Sequence, residues 1–177
     1  MKVLKVLLGI IVALVIIFFV GGMFLPKTYS VSRTTTINAP DSVVYKNVAD
    51  FNEFLKWNPW TKMEPAAKVK ITGNAGQPGH LYQWVGDKVG TGQMKLTEAM
   101  PNQSIVEEMK FIKPMESSSI VRFDIAKEGI GNKVTWTISG ESDGAMNKWM
   151  GLFMDKMMGK DFENGLKSLK EKSEKGE

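Results

Sequence analysis

The chain opens on an uninterrupted apolar run. Val6 to Leu25 reads VLLGIIVALVIIFFVGGMFL, with neither a charge nor a polar side chain. A bilayer core about 30 Å thick takes about 20 helical residues, so the run is long enough to span. Lys2 and Lys5 precede it, and Pro26 and Lys27 end it. A cleaved signal peptide shares the basic start, but its apolar part covers about 7–15 residues and meets an A-x-A-like site. Here the run is longer, and Val20-Gly21-Gly22 is only a weak site of that kind. The pattern therefore predicts a transmembrane anchor over residues 1–26 and a domain over 27–177. Lys27 and Arg33 nearly balance Lys2, Lys5 and the amino terminus. The positive-inside rule thus leans only slightly toward an N-terminus in the cytoplasm and the domain outside it.

Past the anchor the periodicity changes twice. Thr28 to Asn38 is β-branched and alternating, which predicts a strand. Asn38-Ala39-Pro40-Asp41 breaks it, and Asp41 or Ser42 is placed to cap a helix through Val43, Val44, Tyr45, Val48 and Ala49. A second short helix follows over 51–57, with Phe51, Phe54 and Leu55 on one face; Asn58-Pro59 stops it. Then come about six short alternating runs separated by turn residues, an antiparallel meander from Lys68 to Ser139. Last, Met146, Trp149, Met150, Phe153, Met157, Phe162, Leu166 and Leu169 recur at helical spacing. They predict one amphipathic helix of about 25 residues, capped by Ser142 or Asp143 and fraying into KEKSEKGE. The order predicts an α+β domain: a curved antiparallel sheet with two short helices, covered by a long C-terminal helix.

Composition narrows the chemistry. With 23 basic and 19 acidic residues the formal charge is +4, too slight and too scattered for a nucleic-acid binder. The absence of Cys excludes disulfides and thiolate chemistry, and a single His leaves no pair for a metal or a relay. No cofactor motif, nucleophile elbow or phosphate-binding loop is present; the glycines at 73–76 and 86–92 sit in turns. Neither a metal nor a cofactor is expected, and nothing speaks to oligomeric state.

The entry segment VSRTTTINAPDSVVYKNVADFNEFLKWNPW (31–60), Val134-Thr135-Trp136 and the run Gly159 to Leu166 resemble the SRPBCC superfamily. This is the START-like, helix-grip type that includes polyketide cyclase/dehydrase-like proteins, here in its membrane-anchored bacterial form. The resemblance covers nearly the whole of residues 28–172. It implies the helix-grip fold and a hydrophobic cavity, and it says little about chemistry, because the matching residues mark packing positions.

Candidate site residues follow from strand alternation and the helical stripe. Tyr82 and Trp84, Met94 and Leu96, Met109 and Phe111, Val121 and Phe123, and Val134 and Trp136 each share a face. Trp57 and Trp60 flank Pro59, as a cavity gate or as a plug of the core. Met146, Met150, Met154, Met157 and Met158 give the last helix an adaptable apolar surface. The cavity set is Trp57, Trp60, Tyr82, Trp84, Met94, Met109, Phe111, Phe123, Trp136, Met150, Phe153, Met154 and Met157, against the alternative that they simply fill a core. One of Glu107 and Glu108 faces inward, while Arg122 and Asp124 share the solvated face. His80 reads as a surface or capping residue. The expected function is a membrane-held binding module for an apolar or amphipathic small molecule or lipid. A cyclase/dehydratase-type enzyme in the same cavity, or a partner protein without a cavity, are the alternatives.

Overall fold

A computed structural model describes residues 2–176; Met1 and Glu177, the outermost residues of the two expected segments, lie outside them. The first element is α1 (Lys2–Phe24), long and apolar enough to cross a membrane, with no part of its apolar window buried. Strand β1 (Thr28–Ile37) follows, then α2 (Asp41–Ala49), α3 (Phe51–Trp57) and α4 (Pro59–Met63). Six strands come next: β2 (Lys68–Thr72), β3 (Leu81–Val85), β4 (Thr91–Met100), β5 (Ser104–Lys113), β6 (Ser117–Glu128) and β7 (Gly131–Glu141). Helix α5 (Gly144–Glu174) ends the chain.

The helices between β1 and β2 number three. Asn58 ends α3 and at once caps α4, its Oδ1 accepting the Trp60 N–H at 2.8 Å with Pro59 in the first turn. Asp50 caps α3 the same way through Asn52 N. For α2 the cap position is Pro40, without a side-chain hydrogen bond, and Asp41 is the first helical residue. Asp143 holds that position in α5, also without a side-chain bond. Helix α5 runs 31 residues, past the expected fray point. Its end is tied down: Asn47 Nδ2 donates to Ser173 Oγ at 3.0 Å, Lys172 pairs with Glu53 at 2.9 Å, and Glu174 accepts from Asn38 N at 2.8 Å.

The sheet is antiparallel throughout, in the order β1-β7-β6-β5-β4-β3-β2, so its two edges are the strands that flank the short helices. Its inner face carries Val31 and Ile37, Val134, Trp136 and Ile138, Val121 and Phe123, Ile105, Met94 and Leu96, and Tyr82 and Trp84. The second half of α5 lies on this face, where Phe162, Leu166 and Leu169 are buried. Gly165 makes the close approach possible: a Cβ there would stand 2.7 Å from the Trp136 ring and 3.2 Å from Pro59. The Trp136 and Phe162 rings stack at 4.1 Å, and Trp57 and Phe123 abut Trp136. One aromatic cluster of the core thus centres on Trp136 of β7.

Register fixes which turns lie together. Thr28 pairs with Glu141, Phe111 with Ser117, and Thr91 with both Lys113 and Val85. The β3–β4 turn, the β5–β6 turn and the exit of β7 therefore share the end of the sheet at which α1 enters. This is the tether end.

Candidate functional site

The interior is not evenly filled. Under β2, β3, β4 and β5 the sheet is covered by α3, α4 and the segment after α4, not by α5, and a cavity of about 140 Å³ remains. Two rungs of the sheet form its floor. Tyr82, Met94 and Met109 lie side by side across β3, β4 and β5, and Trp84, Gly92 and Phe111 form the next rung. Gly92 lets the Trp84 ring lie flat across β4, since a Cβ there would meet that ring at 2.5 Å. Tyr82 stacks on Trp84 at 5.1 Å, and Phe111 meets Trp84 edge-on at 5.5 Å. Phe54, Trp60, Thr61 and Pro65 form the roof, with Met158 closing the side toward α5.

The wall of the cavity at the tether end is braced. Both carboxylate oxygens of Glu64 accept backbone N–H groups of the β3–β4 turn: Asp87 N, Lys88 N and Val89 N, each at 2.9 Å. These bonds hold the Glu64 carboxyl below its ordinary range. Trp84 Nε1 donates to Val89 O at 3.2 Å and closes the same turn. Among the polar groups of the lining, Thr61 Oγ1 is buried with no hydrogen-bond partner. The Tyr82 phenol is pushed up to about 12 by burial, so it stays protonated.

One carboxyl lies next to this floor. Glu107 pairs with Leu96 one rung beyond Met94–Met109, on the inner face. It is wholly buried, and neither oxygen has a partner. Burial raises its pKa well above the ordinary value, so it is held as a neutral acid. Glu108 points the other way and pairs with Lys110 at 2.9 Å. Arg122 and Asp124 form an exposed pair at 2.7 Å.

The thirteen residues read from the sequence fall in four places. Trp60, Tyr82, Trp84, Met94, Met109 and Phe111 line the cavity together. Trp57, Phe123 and Trp136 are packed into the filled half of the core, and Trp57 Nε1 donates to Asn47 O at 2.7 Å. Met150 and Met154 border a second, open recess of about 520 Å³ between α5 and the tether end of β6 and β7, lined also by Glu108, Glu116, Glu141 and Asp143. Phe153 and Met157 stand on the outer surface of α5. The helix methionines thus do not roof the cavity, apart from Met158. Phe54, Thr61, Glu64 and Val89 belong to the lining and escaped the sequence reading. Phe54 had the helical-face signal; Glu64 and Val89 had none, because they meet only through the fold.

His80 is buried rather than on the surface. Its Nε2 accepts from Phe51 N at 3.1 Å, Nδ1 faces Thr72 O at 3.1 Å, and its ring stacks on Phe51 at 4.7 Å. Both nitrogens are spent on backbone, which makes it a capping residue for α3. Among the described residues no group of three His, Cys, Asp or Glu could hold a metal ion.

The family model described as polyketide cyclase / dehydrase and lipid transport matches residues 28–174. No curated protein matches the chain in sequence. Solved structures of similar fold include a protein from Mesorhizobium loti, 15% identical, with 81% of this chain and 98% of that one covered at a TM-score of 0.60. A protein from Chromobacterium violaceum is 18% identical over 85% of this chain and 99% of the other, TM-score 0.56. The di-domain ARO/CYC BexL is 17% identical; 84% of this chain matches 50% of that one, TM-score 0.59. At these identities the likeness is one of fold.

Proposed function

Because the chain belongs to the polyketide cyclase / dehydrase and lipid transport family, we propose that it is a membrane-tethered module binding the apolar part of a small amphipathic molecule or lipid. Residues 1–26 are its anchor and 27–177 its binding domain, which we place outside the cytoplasm. The observation that carries this reading is the aromatic- and Met-lined cavity of about 140 Å³ between the sheet and the short helices. A cavity of about this size holds a benzene-sized ring, so it suits a ring or a short alkyl end, with the remainder of the ligand outside it. Apolar burial at about 25 cal/mol per Å² supplies most of the affinity. Met94 and Met109 can repack around different ligand shapes. The Thr61 hydroxyl, which has no internal partner, offers a polar contact inside.

Catalysis of the cyclase/dehydratase kind is the second reading, and Glu107 is the observation that favours it. A neutral carboxyl beside a cavity is a usable general acid. It stands without a second titratable group facing it across the sheet, and its neighbours on adjacent strands are Leu96 and Val121. For this reason binding is preferred.

Native mass spectrometry of the full-length chain released from lipid nanodiscs tests the proposal. A retained non-protein mass is expected, and Met109→Trp, which fills the floor, should abolish it. Substituting Phe153 by Ala should leave it in place. An empty wild-type protein, or a ligand indifferent to Met109→Trp, overturns the reading.

A further inference from the structure

We propose that the tether end of the sheet lies on the bilayer surface, so that the cavity wall formed by the β3–β4 turn lies against lipid and the ligand exchanges directly with the membrane. This deepens the binding reading and rests on α1 being an anchor.

Three independent observations converge on that end. The first is chain length. Only Leu25, Pro26 and Lys27 separate α1 from β1, a reach of roughly 10 Å at about 3.5 Å per residue. The strand end that begins at Thr28 cannot stand far from the membrane exit of α1. By register, the β3–β4 turn, whose Val89 lines the cavity, shares that end.

The second is a contact below the end of α1. Trp149 of α5 stacks on Phe18 at 6.0 Å, and its Nε1 donates to Phe18 O at 3.0 Å. Phe18 is six residues inside Phe24, about 9 Å along the helix axis at about 1.5 Å per residue. Gly21 and Gly22 admit this contact: a Cβ at Gly22 would meet Ala145 at 2.9 Å, and one at Gly21 the Trp149 ring at 3.0 Å. Lys148 Nζ donates to Gly22 O at 3.0 Å. If α1 spans, the start of α5 is drawn to a depth of about 5–10 Å, where interfacial helices lie, and a Trp suits that level.

The third is where the apolar surface falls. Of the large apolar side chains after α1 that are at least half exposed, Val85, Ile112, Met115, Met146, Phe153 and Met157 lie at this end or on α5, against Met100 and Ile130 at the far end. Val85, Ile112 and Met115 flank the two turns of the tether end; Met146, Phe153 and Met157 lie on the outer face of the first half of α5. Lys156 and Lys160 border that stripe, and their stems can lie along it with the ammonium groups in the headgroups. A bilayer is the occupant that α1 itself brings to this face.

The chain has no Cys, so single-Cys variants report cleanly. An environment-sensitive fluorophore is attached at Met115→Cys, Phe153→Cys, Ile11→Cys and Ile130→Cys. Ile130 is 97% exposed in the β6–β7 turn at the far end. The full-length protein is placed in phosphatidylcholine–phosphatidylglycerol nanodiscs containing lipids with a quencher near the headgroup or near the chain end. Emission at 115 and 153 should fall with the shallow quencher, emission at 11 with the deep one, and emission at 130 with neither. If 115 and 153 behave as 130 does while 11 is quenched, the anchor stands and this inference fails. If 11 is not quenched by either lipid, the anchor reading fails and this inference falls with it.

Discussion

Glu107 is the residue at which the fold works against itself. A carboxyl with no partner, enclosed between Leu96 and Val121, is stable only as the neutral acid. Its pKa is raised in the folded state, whereas the unfolded chain ionises near about 4.3. The sign follows: the folded state is unpenalised below the ordinary carboxylate range, and stability is lost as pH rises from there toward the raised value, by up to about 1.4 kcal/mol per pH unit. Glu53 acts the other way. Lys56 and Lys172 lower it to about 2, so its contribution is present above the carboxylate range and lost as pH falls through it. Denaturant midpoints measured from about pH 4 to about pH 8 should fall toward neutrality in the wild type and flatten in Glu107→Gln. Parallel curves for the two proteins would show that Glu107 finds a partner in solution. That one of Glu107 and Glu108 faces inward follows from alternation alone. Which one does is set by the register with Leu96 and Val121, and that is a property of three strands together.

The two halves of α5 do different work, and the sequence shows the seam. Met146, Met150, Phe153 and Met157 are spaced four, three and four residues apart, a single stripe. Phe162, Leu166 and Leu169 form another. Between Met157 and Phe162 the step is five residues, and at about 100° per residue that rotates the apolar direction by about 140°. Read as one periodic run, the sequence predicts a helix that faces the sheet along its length. The structure buries the second stripe and exposes most of the first. At the seam, Arg33 of β1 spans the helix, bonding Asp155 at 2.7 Å and Glu163 at 2.9 Å, one turn to either side of Gly159. A Cβ at 159 would collide with the guanidinium. The halves should therefore respond differently to truncation. Phe162→Ala removes the ring stacked on Trp136 and should cost about 3–5 kcal/mol. Met157→Ala, on the exposed stripe, should stay within about 0.5 kcal/mol in the isolated protein. Urea unfolding distinguishes them, and equal losses would mean the first half is packed in solution. The strands were more legible, because an antiparallel sheet with one buried face has a period of two residues and few ways to satisfy it. All five same-face pairs read from alternation lie on the inner face. The cavity was not legible, since a void depends on the separation of layers, and Glu64 reaches Val89 only after both layers exist.

For the molecule as a whole, the question is whether α1 is part of the fold or only attached to it. No residue of α1 belongs to the buried hydrophobic core, which is complete between β1 and α5. Its contacts with the domain include those to Trp149, Lys148 and Ala145 at the start of α5. A chain of residues 27–177 should therefore fold, with thermal unfolding close to that of the full-length protein. Removing α1 uncovers the Trp149 ring and Ala145, next to the stripe of Met146, Phe153 and Met157 that is already exposed. Exposed apolar patches of this kind drive association when their natural cover is missing. Residues 27–177 should thus form concentration-dependent oligomers by light scattering. The double substitution Phe153→Glu and Met157→Glu should return them to monomers without shifting the unfolding midpoint, because neither side chain is packed. A wild-type fragment that stays monomeric at high concentration would mean that this face is too small to require a cover, and would remove the apolar-surface argument for docking on a bilayer. Oligomers that persist in the double variant would place the sticky surface elsewhere, with the exposed Ile130 turn at the far end as the next place to look.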